Sequence, residues 1–160
     1  MPLSRHIAIL GVTPFSLLLG RACCLADCPP VGLYDPDPAN ALRGALFLGI
    51  SARQQAAQLS PAETPLQVAF VGHEQAAHGL DQLPPDRAEG LLVISLCPLP
   101  APGRNVCFAL PLTPSESELA GQAIASFVPD IVFRLEGETD ARLAAQELLR
   151  SLSPNIRFAP

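Results

Sequence analysis

Short apolar runs, each closed by a turn residue and followed by a segment with helical spacing, recur along the whole chain. This alternation restricts the fold more than any other feature, because it matches parallel strands joined by crossover helices. The first run, IAIL at residues 7–10, is broken by Gly11, and Pro14 stands where the first turn of a helix tolerates a missing N–H. A helix is predicted over 15–27, stopped by CPP. VGLYD at 31–35 is a second strand ending in an acid, and Asp37 is available to cap the short helix in PDPANALRGALFLG. ISARQQAAQL reads as a helix with Ser51 as its cap. LQVAFVG is a strand over 66–71, HEQAAHGLDQL a helix, and GLLVISL a strand over 90–96. Beyond the proline-rich CPLPAPGR, the strand NVCFALPL leads into SESELAGQAIASF, a helix with Ser115 and Glu118 at capping-box spacing. DIVFRL, the amphipathic ETDARLAAQELLRSL and a short NIRFAP complete the series. With no long antiparallel run expected, the pattern predicts an α/β fold: a doubly wound, mostly parallel sheet with helices on both faces, in three layers.

At 160 residues, 49% of them apolar and 16% charged, the chain is expected to form one domain over 1–160 around one sizeable core. This composition argues against disorder, which needs low hydrophobicity and high net charge. All ten basic residues are arginines, so a P-loop lysine and a Schiff-base lysine are both excluded. A net charge of −5 without a basic run argues against a nucleic-acid partner. The five cysteines, Cys23, Cys24, Cys28, Cys97 and Cys107, are odd in number and irregular in spacing. They suit buried thiols in a reducing cytoplasm better than a disulfide framework, and no C-x-x-C pair or histidine cluster completes a metal site.

The opening segment admits three readings: a signal-peptide core, a buried helix, or the strand–turn–helix of a dinucleotide site. Arg5 and His6 before the apolar run and Ala22 after it suit a leader, whereas Pro14 interrupts the run and Arg21 adjoins the cleavage point. The run is too short to span a membrane. The remaining alternation needs this segment as its first strand and helix, which favours the third reading.

In a dinucleotide-binding fold the first strand runs into G-x-G-x-x-G, with the pyrophosphate on the next helix N-terminus. Those six positions read Gly11, Val12, Thr13, Pro14, Phe15 and Ser16. Gly11 is kept. Thr13 places a hydroxyl where the second glycine would stand, and Ser16 is small enough for close packing. Asp35, 24 residues after Gly11, stands where an acid grips the ribose hydroxyls of NAD and repels the 2′-phosphate of NADP. Aspartate before proline also opens turns, so Asp35 has a plain structural alternative. Gly72 and His73 follow the next strand, with Ser95 and Cys97 at the end of the one after. Such loops line the ligand crevice of an open parallel sheet. Cys97 needs a base or a cationic neighbour to act as a nucleophile.

The order IAILG, VGLYDPDPANA, VAFVGHEQAA, LLVISLCPLP, ESELAGQAIASFVPDIVFRL and DARLAAQELLRSL resembles the deazaflavin-dependent NADP oxidoreductases over nearly the whole chain. More distantly it is similar to the N-terminal domains of pyrroline-carboxylate reductase and hydroxyacid dehydrogenases. The resemblance implies a Rossmann-like fold with NAD or NADP as cofactor. It places Gly11 and Thr13 at the pyrophosphate, Asp35 at the adenosine ribose, and Gly72 with His73 beside the nicotinamide-side phosphates. Tyr34 and Asp35 stand where NADP-preferring members carry a serine–arginine pair, so NAD is the expected form. The function expected is hydride transfer to an acceptor, or alternatively a binding or assembly module of the same fold without tight dinucleotide binding. The apolar excess and the proline-rich loop suggest a homodimer, and no membrane partner is expected.

Overall fold

The computed structural model describes residues 5–60, 65–83, 90–99, 105–120 and 128–160. Eight strands form one sheet: β1 (Ile7–Leu10), β2 (Gly32–Tyr34), β3 (Ala52–Arg53), β4 (Val68–Val71), β5 (Leu92–Ser95), β6 (Val106–Thr113), β7 (Ile131–Gly137) and β8 (Ile156–Phe158). Their order across the sheet is β3-β2-β1-β4-β5-β6-β7-β8. The chain builds outward from β1 to β3 and then returns to β1's other side with β4. The order therefore reverses between β1 and β4, which pair in register from Ile7↔Val68 to Leu10↔Val71. Both strands are fully buried, as uninterrupted apolar runs covered on both faces must be.

Among the described residues five α-helices accompany the sheet: α1 (Pro14–Leu25), α2 (Pro38–Leu48), α3 (Glu74–Ala77), α4 (Glu116–Ala120) and α5 (Thr139–Leu152). Their starts follow local chemistry. Proline occupies the first turn of α1 and of α2. Asp37 caps α2 by accepting from Ala39 N–H at 3.0 Å. Ser115 and Glu118 form the expected box, Glu118 N–H donating to Ser115 Oγ at 3.2 Å. In α5 the buried residues Ala141, Ala145, Leu148, Leu149 and Leu152 make one helical stripe. The core has two parts, one on each face of the sheet. One holds Ile7, Ile9, Phe70 and Phe133 with α1, α2, α4 and α5, and the other holds Ala8, Leu10, Ala69 and Val71 under α3 and two 3₁₀ turns. The sheet is thus the middle of three layers.

Three expectations change. ISARQQAAQL is not a helix: Ala52 and Arg53 pair with Leu33 and Tyr34 as β3, and a 3₁₀ turn, Ala56–Leu59, follows. Ser51 caps nothing there, its carbonyl instead accepting from Leu33 N–H at 3.0 Å. Edge pairing with β2 prevails at its start, and Ala56 and Leu59 reach the core through the 3₁₀ turn instead. In HEQAAHGLDQL one α-turn passes into a 3₁₀ turn, His78–Gln82, where Gly79 weakens helical continuation. Finally, β6 and β7 pair antiparallel from Cys107↔Gly137 to Thr113↔Val132, a long antiparallel run in an otherwise parallel sheet. The second half of SESELAGQAIASF and the end of CPLPAPGR lie outside the described residues. No helix among the described residues is long and apolar enough to cross a membrane.

Candidate functional site

At the carboxyl ends of β1, β4, β5 and β6 a cleft of about 470 Å³ opens beside the point where the strand order reverses. Open α/β sheets hold ligands at this crevice. Thr13 and Phe15 line it from the start of α1, Gly72, His73 and Glu74 from the end of β4, and Leu96 and Cys97 from the end of β5. Pro111, Pro114 and Ser115 close its far side. Long-range packing of β6 brings these last three to the cleft; the sequence marks only Ser115, and only as a helix cap.

The turn after β1 is held by its own side chains. Gly11 has φ +96°, and its N–H donates to Tyr34 O at 2.8 Å. The Ser16 hydroxyl donates to Gly11 O at 2.7 Å and accepts from Thr13 N–H at 2.8 Å. Ser16 N–H in turn donates to Thr13 Oγ1 at 3.1 Å, which completes a reciprocal cap worth about 1 kcal/mol. Ser16 is therefore more than a small packing residue; its T-x-x-S spacing to Thr13 was the signal for this role. Gly72 stands against this turn. A Cβ there would lie 2.3 Å from Gly11 O, so the missing side chain admits protein backbone.

Asp35 and His73 meet beneath the turn. Asp35 Oδ2 accepts from Val12 N–H at 2.8 Å and from His73 Nε2 at 2.9 Å, and Oδ1 accepts from Asp37 N–H at 2.8 Å. Its side chain is 1% exposed. Burial alone would raise its pKa, but these hydrogen bonds to the charged form prevail and hold the carboxyl below its ordinary value. On the other side of the ring, His73 Nδ1 accepts from Ala76 N–H at 3.2 Å and so caps α3. Since an amide can only donate, the ring proton sits on Nε2 and is given to Asp35. Both ring nitrogens are committed, which leaves His73 none for proton transfer.

Ser95 and Cys97 also turn inward. The Ser95 hydroxyl donates to Cys97 O at 2.6 Å and accepts from Cys97 N–H at 3.3 Å, closing the turn after β5. Burial, with the Glu74 charge adding to it, pushes the Cys97 thiol upward against the opposing Ser95 hydrogen bond. This is the reverse of what an activated nucleophile requires. Among the described residues no group of three or more potential ligands could hold a metal.

The expected residues thus divide. Thr13, Phe15, Gly72 and His73 line the cleft, whereas Gly11, Val12, Pro14, Asp35 and Ser95 are not among its lining residues. A nicotinamide cofactor would find room in the cleft for its nicotinamide side, where Thr13 and Phe15 at the helix N-terminus would meet a phosphate. The adenosine ribose finds no such fit at Asp35, whose carboxylate is buried and accepts three hydrogen bonds from the protein itself.

The arrangement defines a Rossmann-type fold, and solved structures share it. A candidate NADP oxidoreductase from Bacteroides fragilis superposes with a TM-score of 0.67 at 16% identity, over 97% of this chain and 60% of that one. Prephenate dehydrogenase from A. aeolicus, solved with hydroxyphenyl propionate and NAD+, gives a TM-score of 0.65 at 10% identity over 98% and 60%. Plasmodium falciparum pyrroline carboxylate reductase, solved with NADP, gives 0.58 at 12% over 100% and 56%. The chain therefore spans about three fifths of the length of these structures. No family model matches the sequence, and no curated protein matches it.

Proposed function

We propose that the chain is the nicotinamide-dinucleotide-binding part of an oxidoreductase, one domain over residues 1–160 that exchanges hydride with a small acceptor. The observation that carries this reading is the cleft at the β1/β4 reversal, the site at which this fold takes a dinucleotide. When bound, the cofactor supplies or accepts the hydride; the protein binds and orients it. Phe15 N–H and the Thr13 hydroxyl would hold a phosphate, and Leu96, Pro111 and Pro114 would keep water from the ring. NAD is favoured over NADP, because an ionised Asp35 at the tip of β2 repels a 2′-phosphate. Calorimetric titration is expected to give saturable heat with NADH and a weaker response with NADPH. No heat from either nucleotide would overturn the proposal.

A second reading, a Rossmann-shaped binding or assembly module without tight dinucleotide binding, is favoured by one observation. Val12, Thr13 and Ser16 N–H groups already have side-chain acceptors, and Pro14 has no N–H to give. The same titration separates the two readings.

Five free thiols support a reducing cytoplasm as the location, with burial pushing the Cys107 thiol up to about 11. On the outer face of α2, Leu42 and Leu46 are 57% and 73% exposed, and this supports a homodimer. Light scattering should give twice the 16.9 kDa chain mass, and a monomer at high concentration would dispose of the dimer.

A further inference from the structure

We infer that the site selects the nicotinamide mononucleotide half of its ligand and takes almost no affinity from the adenosine half; this rests on the cofactor reading above. Three observations converge on it. The first lies at β2. A ribose hydroxyl gripped by Asp35 must donate to a carboxylate oxygen facing solvent, yet this side chain is 1% exposed and accepts from Val12 N–H, His73 Nε2 and Asp37 N–H. The one acceptor site left, on Oδ1, belongs to a side chain closed off from solvent, so a ribose hydroxyl would reach it only by opening the turn.

The second lies in the turn. Val12 N–H is held by Asp35, Thr13 N–H by the Ser16 hydroxyl, Ser16 N–H by the Thr13 hydroxyl, and Leu17 N–H by Thr13 O at 3.0 Å. Pro14 has none. Phe15 N–H remains, and with the Thr13 O–H it suits one phosphate rather than two.

The third is the position and charge of the cleft. Its lining comes from the ends of β1, β4, β5 and β6, and none of it from the end of β2. Among the described residues that lining includes Glu74 and no arginine, so there a second phosphate adds repulsion without a counter-charge. A ligand with one phosphate, one ribose and a flat ring suits these groups; the adenosine half would pass the closed Asp35 without a hydrogen bond to it, near enough only for a 2′-phosphate to be repelled.

Competition calorimetry with the wild-type chain tests the inference, using reduced nicotinamide mononucleotide, NADH and ADP-ribose as probes. A working ribose grip contributes a charged hydrogen bond, about tenfold or more in affinity. The mononucleotide and NADH are expected to bind within about fivefold of each other, with ADP-ribose failing to displace NADH. NADH tighter by more than about fivefold, or displacement by ADP-ribose, would overturn the inference and leave the cofactor reading standing. Absence of binding by both reduced nucleotides would overturn the two together.

Discussion

Replacing Gly72 by alanine is expected to cost the fold about 3 kcal/mol or more, seen as a large fall in the urea midpoint. The new Cβ would lie 2.3 Å from Gly11 O and 3.0 Å from Gly11 C, both backbone atoms, and 3.1 Å from Ser16 Oγ. Neither side can retreat cheaply. Gly72 N–H is tied to Leu10 O at 2.7 Å, at the end of a four-pair register between the two central strands. Gly11 O is fixed from the other direction by the Ser16 hydroxyl at 2.7 Å. Moving it disturbs the hydroxyl on which the turn after β1 depends. A loss below about 1 kcal/mol would show that the two strand ends can separate without consequence, contrary to this account.

Asp35→Ala is expected to cost about 3 kcal/mol at neutral pH, since it strips the acceptor from Val12 N–H and His73 Nε2 in a buried place. Its pH dependence gives a sharper test. Because the folded-state pKa lies below the ordinary value, the carboxylate's stabilisation is complete above about pH 4 and is lost as the pH falls through the folded value. Urea unfolding at pH 7 and at about pH 3 should therefore show the gap between wild type and Asp35→Ala narrowing in acid. A gap of equal size at both values would mean that the carboxylate contributes by packing and not by charge. Asp35→Asn should recover only part of the loss, because an amide cannot accept through both of its polar atoms.

What the sequence reveals of this fold is what local chemistry determines. Pro14, the Asp37–Pro38 pair and the Ser115/Glu118 box mark helix starts because the groups they satisfy are within a few residues. The fully buried β1, β4 and β5 show themselves as continuous apolar runs. The two-residue β3 has no such local mark, because its pairing with Leu33 and Tyr34 makes it a strand. The antiparallel return of β7 onto β6 is likewise a choice of partner. The site divides on the same line. Placing Gly11, Asp35, Gly72 and His73 at strand ends needed only periodicity and turn residues. That Asp35 faces inward depends on a ring 38 positions away along the chain, held by a helix cap of its own. Periodicity reports which end of a strand a residue occupies; it carries no record of whether its lone pairs are already used.

The two margins of the sheet have a consequence for the behaviour of the protein in concentrated solution. An open sheet ends in strands whose unpaired amides and carbonyls can template another chain. Here one margin is β3, with two residues, and the other is β8, with three. Arg53 sits in the first and Arg157 in the second, where the Arg157 side chain is 64% exposed beside Asp130. A strand from a second molecule could gain only a couple of ladder hydrogen bonds before meeting a cation. The brevity of the outermost strands thereby limits how far a sheet eight strands wide can be extended edge to edge in a chain that is nearly half apolar.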